Sequence, residues 1–190
     1  MNFDSLGNFE ITSGAMQVTD PCYTGGGGVL LSDVKNGVWK AYTTLNDGTN
    51  TEIIVHHVEH ELALGDFVRY QPQNMYGAIG VDSGQAGFFD ADTLENHNHD
   101  HFYEEVCNLT LGTLGAGVIK YGAVSSSGWG DGSYELFIAT ENGQVVAARI
   151  DFLGQEEENE DEDKEEDEES FEDEDSTDHN TSTTNSRYNF

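Results

Sequence analysis

Short runs of alternating apolar and polar residues fill most of the chain up to residue 154. The run GVWKAYTTL alternates two sets of side chains, and TEIIVHHVEHELAL opens with the β-branched residues Ile53, Ile54 and Val55. Similar runs are DFVRYQ, AIGVDSG, GVIKYGAVSSSG, SYELFIATENG and QVVAARIDFL. A period of two is typical of strands with one buried face. The pattern therefore predicts a mostly β fold.

Glycine-containing turns separate these runs. Asn142-Gly143 joins two alternating runs and predicts a type I′ hairpin, because both residues readily take positive φ. Ser13-Gly14, between Ile11 and Met16, predicts a second hairpin. Such closely spaced turns favour a single antiparallel sandwich or open barrel-like domain.

One segment departs from the strand pattern. Phe102, Val106 and Leu109 have helical spacing, and Asp92 is a candidate cap. The sequence therefore predicts one short helix over about Asp92–Leu109.

The charge divides the chain in two. Residues 1–154 hold 20 acids and 5 bases, whereas residues 155–190 hold 17 acids and 2 bases with almost nothing apolar. We expect a β-rich globular domain over 1–154 and a low-complexity, acidic, disordered C-terminal tail over 155–190. Such a tail promotes solubility, attracts a basic partner, or imitates the charge of a nucleic acid.

The formal net charge of −30 excludes whole classes of partner. Ordinary duplex DNA or RNA binders neutralise phosphates with Lys and Arg, and anionic membrane surfaces also attract basic proteins. The expected partner is therefore a basic or neutral protein, or a small molecule. The sequence does not define the oligomeric state.

Nothing in the sequence resembles a signal peptide or an apolar membrane span. We therefore expect a cytoplasmic protein, in the host cytoplasm if the chain is phage-encoded. In that compartment Cys22 and Cys107 are expected to be reduced thiols that pack as small hydrophobic side chains.

Metal and cofactor signatures are weak. Six histidines lie in two tracts: His56, His57, His60, His97, His99 and His101. Each tract could present two zinc ligands, but HExxH and CxxC are absent, so we expect solvated polar faces. The patterns GxSxG and GxxxxGK[ST] are absent too. We predict no metal ligand, no cofactor and no catalytic residue.

Three motifs in a fixed order carry a family resemblance. They are SGAMQVTDPCY, VDSGQAGFFD and GDGSYELF, and the resemblance spans about Leu6–Leu153. The chain resembles a family of uncharacterised bacterial and phage proteins that share DPCY, VDxGxxxFFD and GDGxY. The resemblance implies a fold class and a phage or bacterial context, without a mechanism. The histidine-rich ENHNHDHFYEE and the acidic tail depart from it.

The second and third motifs place aspartate, glycine and an aromatic residue together. Their simplest interpretation is tight turns, with Phe88 and Phe89 in the core. The functional interpretation is that the four acids at strand ends converge on one pocket. In it the two glycine–aspartate stretches, Val81–Asp90 and Ser127–Phe137, lie side by side and line the pocket with glycine, with Trp129 at its rim. The predicted ligand-binding residues are Asp20, Asp82, Ser83, Gly84, Asp90, Trp129, Asp131, Gly132 and Tyr134.

The leading function is that of a non-enzymatic binding or accessory protein, acting against a host or rival factor. The alternative is a metal- or carboxylate-dependent hydrolase that uses Asp82, Asp90 and Asp131. A third interpretation is a structural component of a virion.

Overall fold

The computed structural model describes residues 3–23, 28–72 and 77–153. The predicted acidic, disordered tail over residues 155–190 lies outside the described part of the chain.

Twelve strands and two α-helices are described, together with a short 3₁₀ helix at Leu64–Asp66. The strands are β1 (Asp4–Ile11), β2 (Met16–Thr19), β3 (Val29–Leu31), β4 (Gly37–Asn46), β5 (Thr49–His57), β6 (Val68–Arg69), β7 (Ala78–Val81), β8 (Gln85–Asp90), β9 (Ala116–Ile119), β10 (Gly122–Ser126), β11 (Gly132–Glu141) and β12 (Gln144–Asp151). The helices are α1 (Ala91–Glu95) and α2 (His99–Thr110).

The strands form two antiparallel sheets. The first has the order β1-β4-β5-β12-β11-β6, and β7 also pairs with β11. The second has the order β3-β2-β8-β10-β9. Neither sheet closes on itself, so the predicted mostly β, sandwich-like fold is confirmed and a closed barrel is absent among the described strands.

The main core lies between the two sheets. Trp39 of the first sheet and Phe88 of the second are both fully buried there. A second apolar cluster covers the outer face of the second sheet, where Phe89 packs with Phe102 and Val106 of α2. Strand β8 is therefore buried on both faces, which explains why it carries consecutive apolar residues instead of an alternation.

The two predicted turns have opposite outcomes. Asn142 and Gly143 join β11 to β12 with φ of 51° and 81°, which confirms the type I′ hairpin. The predicted hairpin at Ser13-Gly14 is wrong, because β1 pairs with β4 whereas β2 pairs with β3 and β8. This turn carries the chain from one sheet to the other, so Ile11 and Met16 enter the same core from different sheets.

The predicted helix is present as α2, and the shorter α1 precedes it. The cap assignment is wrong: Asp90, not Asp92, caps α1 by accepting a hydrogen bond from Thr93 N at 2.9 Å. Asn98 starts α2 by accepting a bond from His101 N at 3.2 Å. A second capping side chain begins a new helix, and it divides the segment in two. Within the described ranges, no helix has the length and apolar character needed to cross a membrane.

Candidate functional site

Three loops meet at one end of the sandwich. We call them the loop junction, and they are residues 20–23 after β2, residues 82–84 between β7 and β8, and residues 127–131 between β10 and β11. Strand pairing brings them together, since Gly132 pairs with Val81 and Ser126 with Gln85. The sequence prediction that the two glycine–aspartate stretches lie side by side is therefore confirmed.

The carboxylate of Asp20 holds the first two loops together. Its Oδ2 accepts hydrogen bonds from the backbone N–H groups of Asp82 and Ser83, at 2.9 and 2.8 Å. Its Oδ1 accepts bonds from the Ser83 hydroxyl at 2.6 Å and from Cys22 N at 2.8 Å. Because a carboxylate offers about four acceptor positions, these bonds occupy the buried Asp20 fully. Asp20 thus shapes the junction from a buried position, and its predicted role as a direct ligand contact is wrong. Ser83 is partly exposed, and its predicted contact with a ligand stays a prediction.

Asp90 lies away from the junction. Met16 pairs with Asp90 and Thr19 pairs with Gly87, so Asp20 and Asp90 are at opposite ends of the β2–β8 pair. The Asp90 carboxylate accepts bonds from the backbone N–H groups of Thr12, Ser13 and Thr93. Burial opposes its ionisation, but these bonds and that from the Thr93 hydroxyl prevail and lower the pKa of Asp90 to about 2. The predicted convergence of four acids is therefore wrong, as is the carboxylate triad that the hydrolase alternative requires.

The third loop lies against the second. Ser127 N donates a hydrogen bond of 2.9 Å to the Gly84 carbonyl. A Cβ placed on Gly84 would lie 3.9 Å from the Cα of Gly130, so an alanine at position 84 would touch the third loop.

The conformation of the third loop is fixed from within. The Tyr134 hydroxyl, from buried Tyr134, donates to the Gly130 carbonyl at 2.9 Å, and the Ser127 hydroxyl donates to the same oxygen. At Gly128, φ is +68° and a Cβ would come within 2.2 Å of the Asn50 carbonyl oxygen, so only glycine fits. Tyr134 therefore supports the loop from the core, which corrects its predicted contact with a ligand.

The loop junction presents two exposed aromatic side chains and two exposed carboxylates. Trp129 is 72% exposed and Tyr23 is 50% exposed. Asp82 and Asp131 are exposed as well. The neighbouring Asp82 carboxylate raises the pKa of the Tyr23 phenol, because it favours the protonated form. Aromatic faces next to carboxylates are suited to bind cationic groups.

His56 and His57 of the first histidine tract are buried, which corrects the solvated face expected there. His56 Nδ1 lies 3.0 Å from the carbonyl oxygens of both His57 and His60, so it carries the proton and donates. His57 accepts from Glu59 N through Nδ1 and donates to the Asn36 carbonyl through Nε2. Burial lowers the pKa of His56 and of His57, so both are neutral at pH 7. In the second tract His99 and His101 are exposed.

No group of three or more His, Cys, Asp or Glu side chains among the described residues is arranged to hold a metal ion.

A separate concave region surrounds Lys120, where cavities of about 540, 650 and 250 Å³ adjoin one another between β1, β9 and the helices. Sequence reasoning missed this region, because its lining comes from distant segments. Its lining mixes Lys120 with acids, amides, the imidazoles of His97 and His101 and partly apolar walls. The loop junction is the stronger candidate, because it presents an exposed indole on a hydrogen-bonded loop.

Comparison with known proteins adds no relative: no family model matches the chain, and neither the curated proteins nor the solved structures contain a match. The resemblance to uncharacterised bacterial and phage proteins therefore stays a prediction.

Proposed function

We propose that the protein is a non-enzymatic binding protein whose loop junction recognises a cationic side chain of a basic protein partner. The observation that carries the proposal is Trp129, which is 72% exposed on a loop whose backbone is held by hydrogen bonds. An exposed indole costs hydration free energy, and a fixed loop loses little conformational entropy on binding. An exposed ring on a fixed loop is therefore suited to bind a partner.

The neighbouring charges favour a cation as the ligand. Asp82 and Asp131 are exposed in the same loops, and the Asp82 carboxylate raises the pKa of Tyr23. Lys or Arg over an indole gains cation–π energy, of roughly 0.5–2 kcal/mol, and a nearby carboxylate adds a charge-assisted hydrogen bond. The excess of acids over bases across residues 1–154 would also accelerate encounter with a basic surface.

The test is a titration of the full chain with an Arg- and Lys-rich peptide, followed by isothermal calorimetry. We expect binding that weakens as the salt concentration rises, and that falls at least tenfold in Trp129→Ala and several-fold in Asp131→Asn and Asp82→Asn. A peptide of the same length with Glu in place of the bases should not bind.

Two control variants separate the junction from general surface effects. Leu111→Ala removes another highly exposed apolar side chain, and Glu141→Gln removes a carboxylate at the opposite end of β11 from Gly132. Both should bind like the parent. Equal losses in the control and junction variants would mean that net charge alone drives binding, and the proposal would then be wrong.

A further inference from the structure

Two thiols approach each other across one amide group. Cys22 lies in the loop after β2 and Cys107 lies in α2, and both are half-buried free thiols. The side-chain nitrogen of Gln85 lies 3.9 Å from each of the two sulfur atoms. The sulfurs are therefore separated by no more than twice that distance.

A hydrogen bond to α2 holds the side chain of Gln85 in place. Its side-chain oxygen accepts a hydrogen bond of 2.8 Å from the Thr110 hydroxyl, which lies one helical turn beyond Cys107. The amide group has two N–H donors, so one can point to each sulfur. Cys22 is fixed on the other side, because its backbone N–H bonds to Asp20. The loop after β2, strand β8 and helix α2 thus place the two sulfurs on either side of the Gln85 amide nitrogen.

We propose that Cys22 and Cys107 form a reversible intramolecular disulfide when the chain meets a small disulfide oxidant such as oxidised glutathione. A deprotonated cysteine attacks one sulfur of the oxidant, forms a mixed disulfide and releases one glutathione thiolate. The second cysteine loses its proton, attacks the protein sulfur of the mixed disulfide and releases the second glutathione thiolate. The protein loses two hydrogen atoms, and the oxidant is reduced to two thiols.

Bond formation requires the two sulfurs, which now lie on the two sides of the Gln85 amide nitrogen, to move into contact. The Gln85 amide must leave the space between the sulfurs, and the Cys22 side chain must rotate towards Cys107 while its backbone N–H stays bonded to Asp20. Burial raises the pKa of Cys22, so the reaction should be faster at alkaline pH. The disulfide would connect the loop junction to α2 directly beside Tyr23. The inference does not depend on the proposed binding function, because it concerns the thiols alone.

The experiment exposes the reduced full chain to glutathione buffers of increasing oxidised fraction, followed by acid quenching, intact mass measurement and peptide mapping. We expect a monomer that has lost two hydrogens, with Cys22 linked to Cys107. Cys22→Ser and Cys107→Ser should instead retain one glutathione as a mixed disulfide, because the resolving thiol is missing.

A comparison with the chain unfolded in urea isolates the contribution of the fold. The equilibrium constant for the internal disulfide should be at least tenfold larger in the folded chain, because the fold raises the effective concentration of one thiol at the other. Retention of both free thiols, mixed disulfides alone, crosslinked dimers, or equal constants in the folded and unfolded chains would each overturn the proposal.

Discussion

The backbone N–H and the hydroxyl of Ser83 both donate hydrogen bonds to the carboxylate of Asp20, although 63 positions separate the two residues. Together with the N–H of Asp82, they join the loop after β2 to the turn between β7 and β8. The loops that present Tyr23 and Trp129 are thus assembled around one buried acid.

Replacing Asp20 by Asn should destabilise the protein by about 2–3 kcal/mol, because an NH₂ group would face N–H donors that the carboxylate now satisfies. Urea unfolding measures this change. Asp82→Asn is the matched control, since the Asp82 side chain is exposed and only its backbone N–H reaches Asp20. Asp82→Asn should stay within about 0.5 kcal/mol of the parent. Similar stabilities for the two variants would show that the Asp20 bonds contribute little.

Asp90 should make stability depend on pH in the acid range. Its folded pKa of about 2 lies below the ordinary value of 3.8, so its contribution is complete above about pH 4 and is lost as the pH falls towards 2. The shift corresponds to about 2 kcal/mol. Asp90→Asn should therefore be less stable than the parent at pH 7 and should lose less stability between pH 4 and 2. Urea unfolding at several pH values checks this, and parallel pH curves for both proteins would refute it.

The strands and the hairpin at Asn142-Gly143 were predictable, because alternation and turn residues act locally. Alternation records which side chains face a core, but not which sheet a strand joins. That is why Ile11 and Met16 were assigned to one hairpin although they belong to facing sheets. The sequence also did not indicate that Asp20 and Asp90 hold different ends of the sandwich, because their hydrogen-bond donors lie up to 63 and 78 positions away.

The burial of His57 follows from the alternation of side chains along β5. His57 continues the inward series of Ile53 and Val55 at a spacing of two, and its ring packs edge-on against Trp39. Residue type alone predicted a solvated surface, but backbone carbonyl and N–H groups satisfy both ring nitrogens inside the sheet. Periodicity was a better guide here than polarity.

Replacing Asn142-Gly143 by Ala-Ala should cost about 1–3 kcal/mol in urea unfolding, since alanine resists positive φ at both turn positions. The β4–β5 turn shows which substitution should be tolerated: there Asp47 and Gly48 have φ values of 50° and 81°, almost the same as those of Asn142 and Gly143. Asn142→Asp should therefore resemble the parent. A double alanine variant as stable as the parent would contradict the role assigned to this turn.

Removing residues 155–190 should leave cooperative unfolding intact and shift the melting temperature by only a few degrees, because this acidic segment has almost no apolar surface to bury. Thermal unfolding followed by circular dichroism makes the measurement. Loss of a cooperative transition after truncation would mean that the segment contributes to the folded core.

The two tryptophans should report opposite environments. Trp39 is fully buried, whereas Trp129 is 72% exposed. The Trp39→Phe variant keeps only Trp129, so acrylamide should quench its fluorescence strongly. The Trp129→Phe variant keeps only Trp39, so acrylamide should quench its fluorescence weakly. Trp129→Ala should change stability by less than about 0.5 kcal/mol, whereas Trp39→Ala should cost about 3–5 kcal/mol. If the loop junction binds a cationic side chain, an Arg- and Lys-rich peptide should protect Trp129 from acrylamide in the Trp39→Phe variant. Strong protection of Trp129 before any peptide is added would show that the indole packs against its own chain, and the exposed ring would no longer support a binding role.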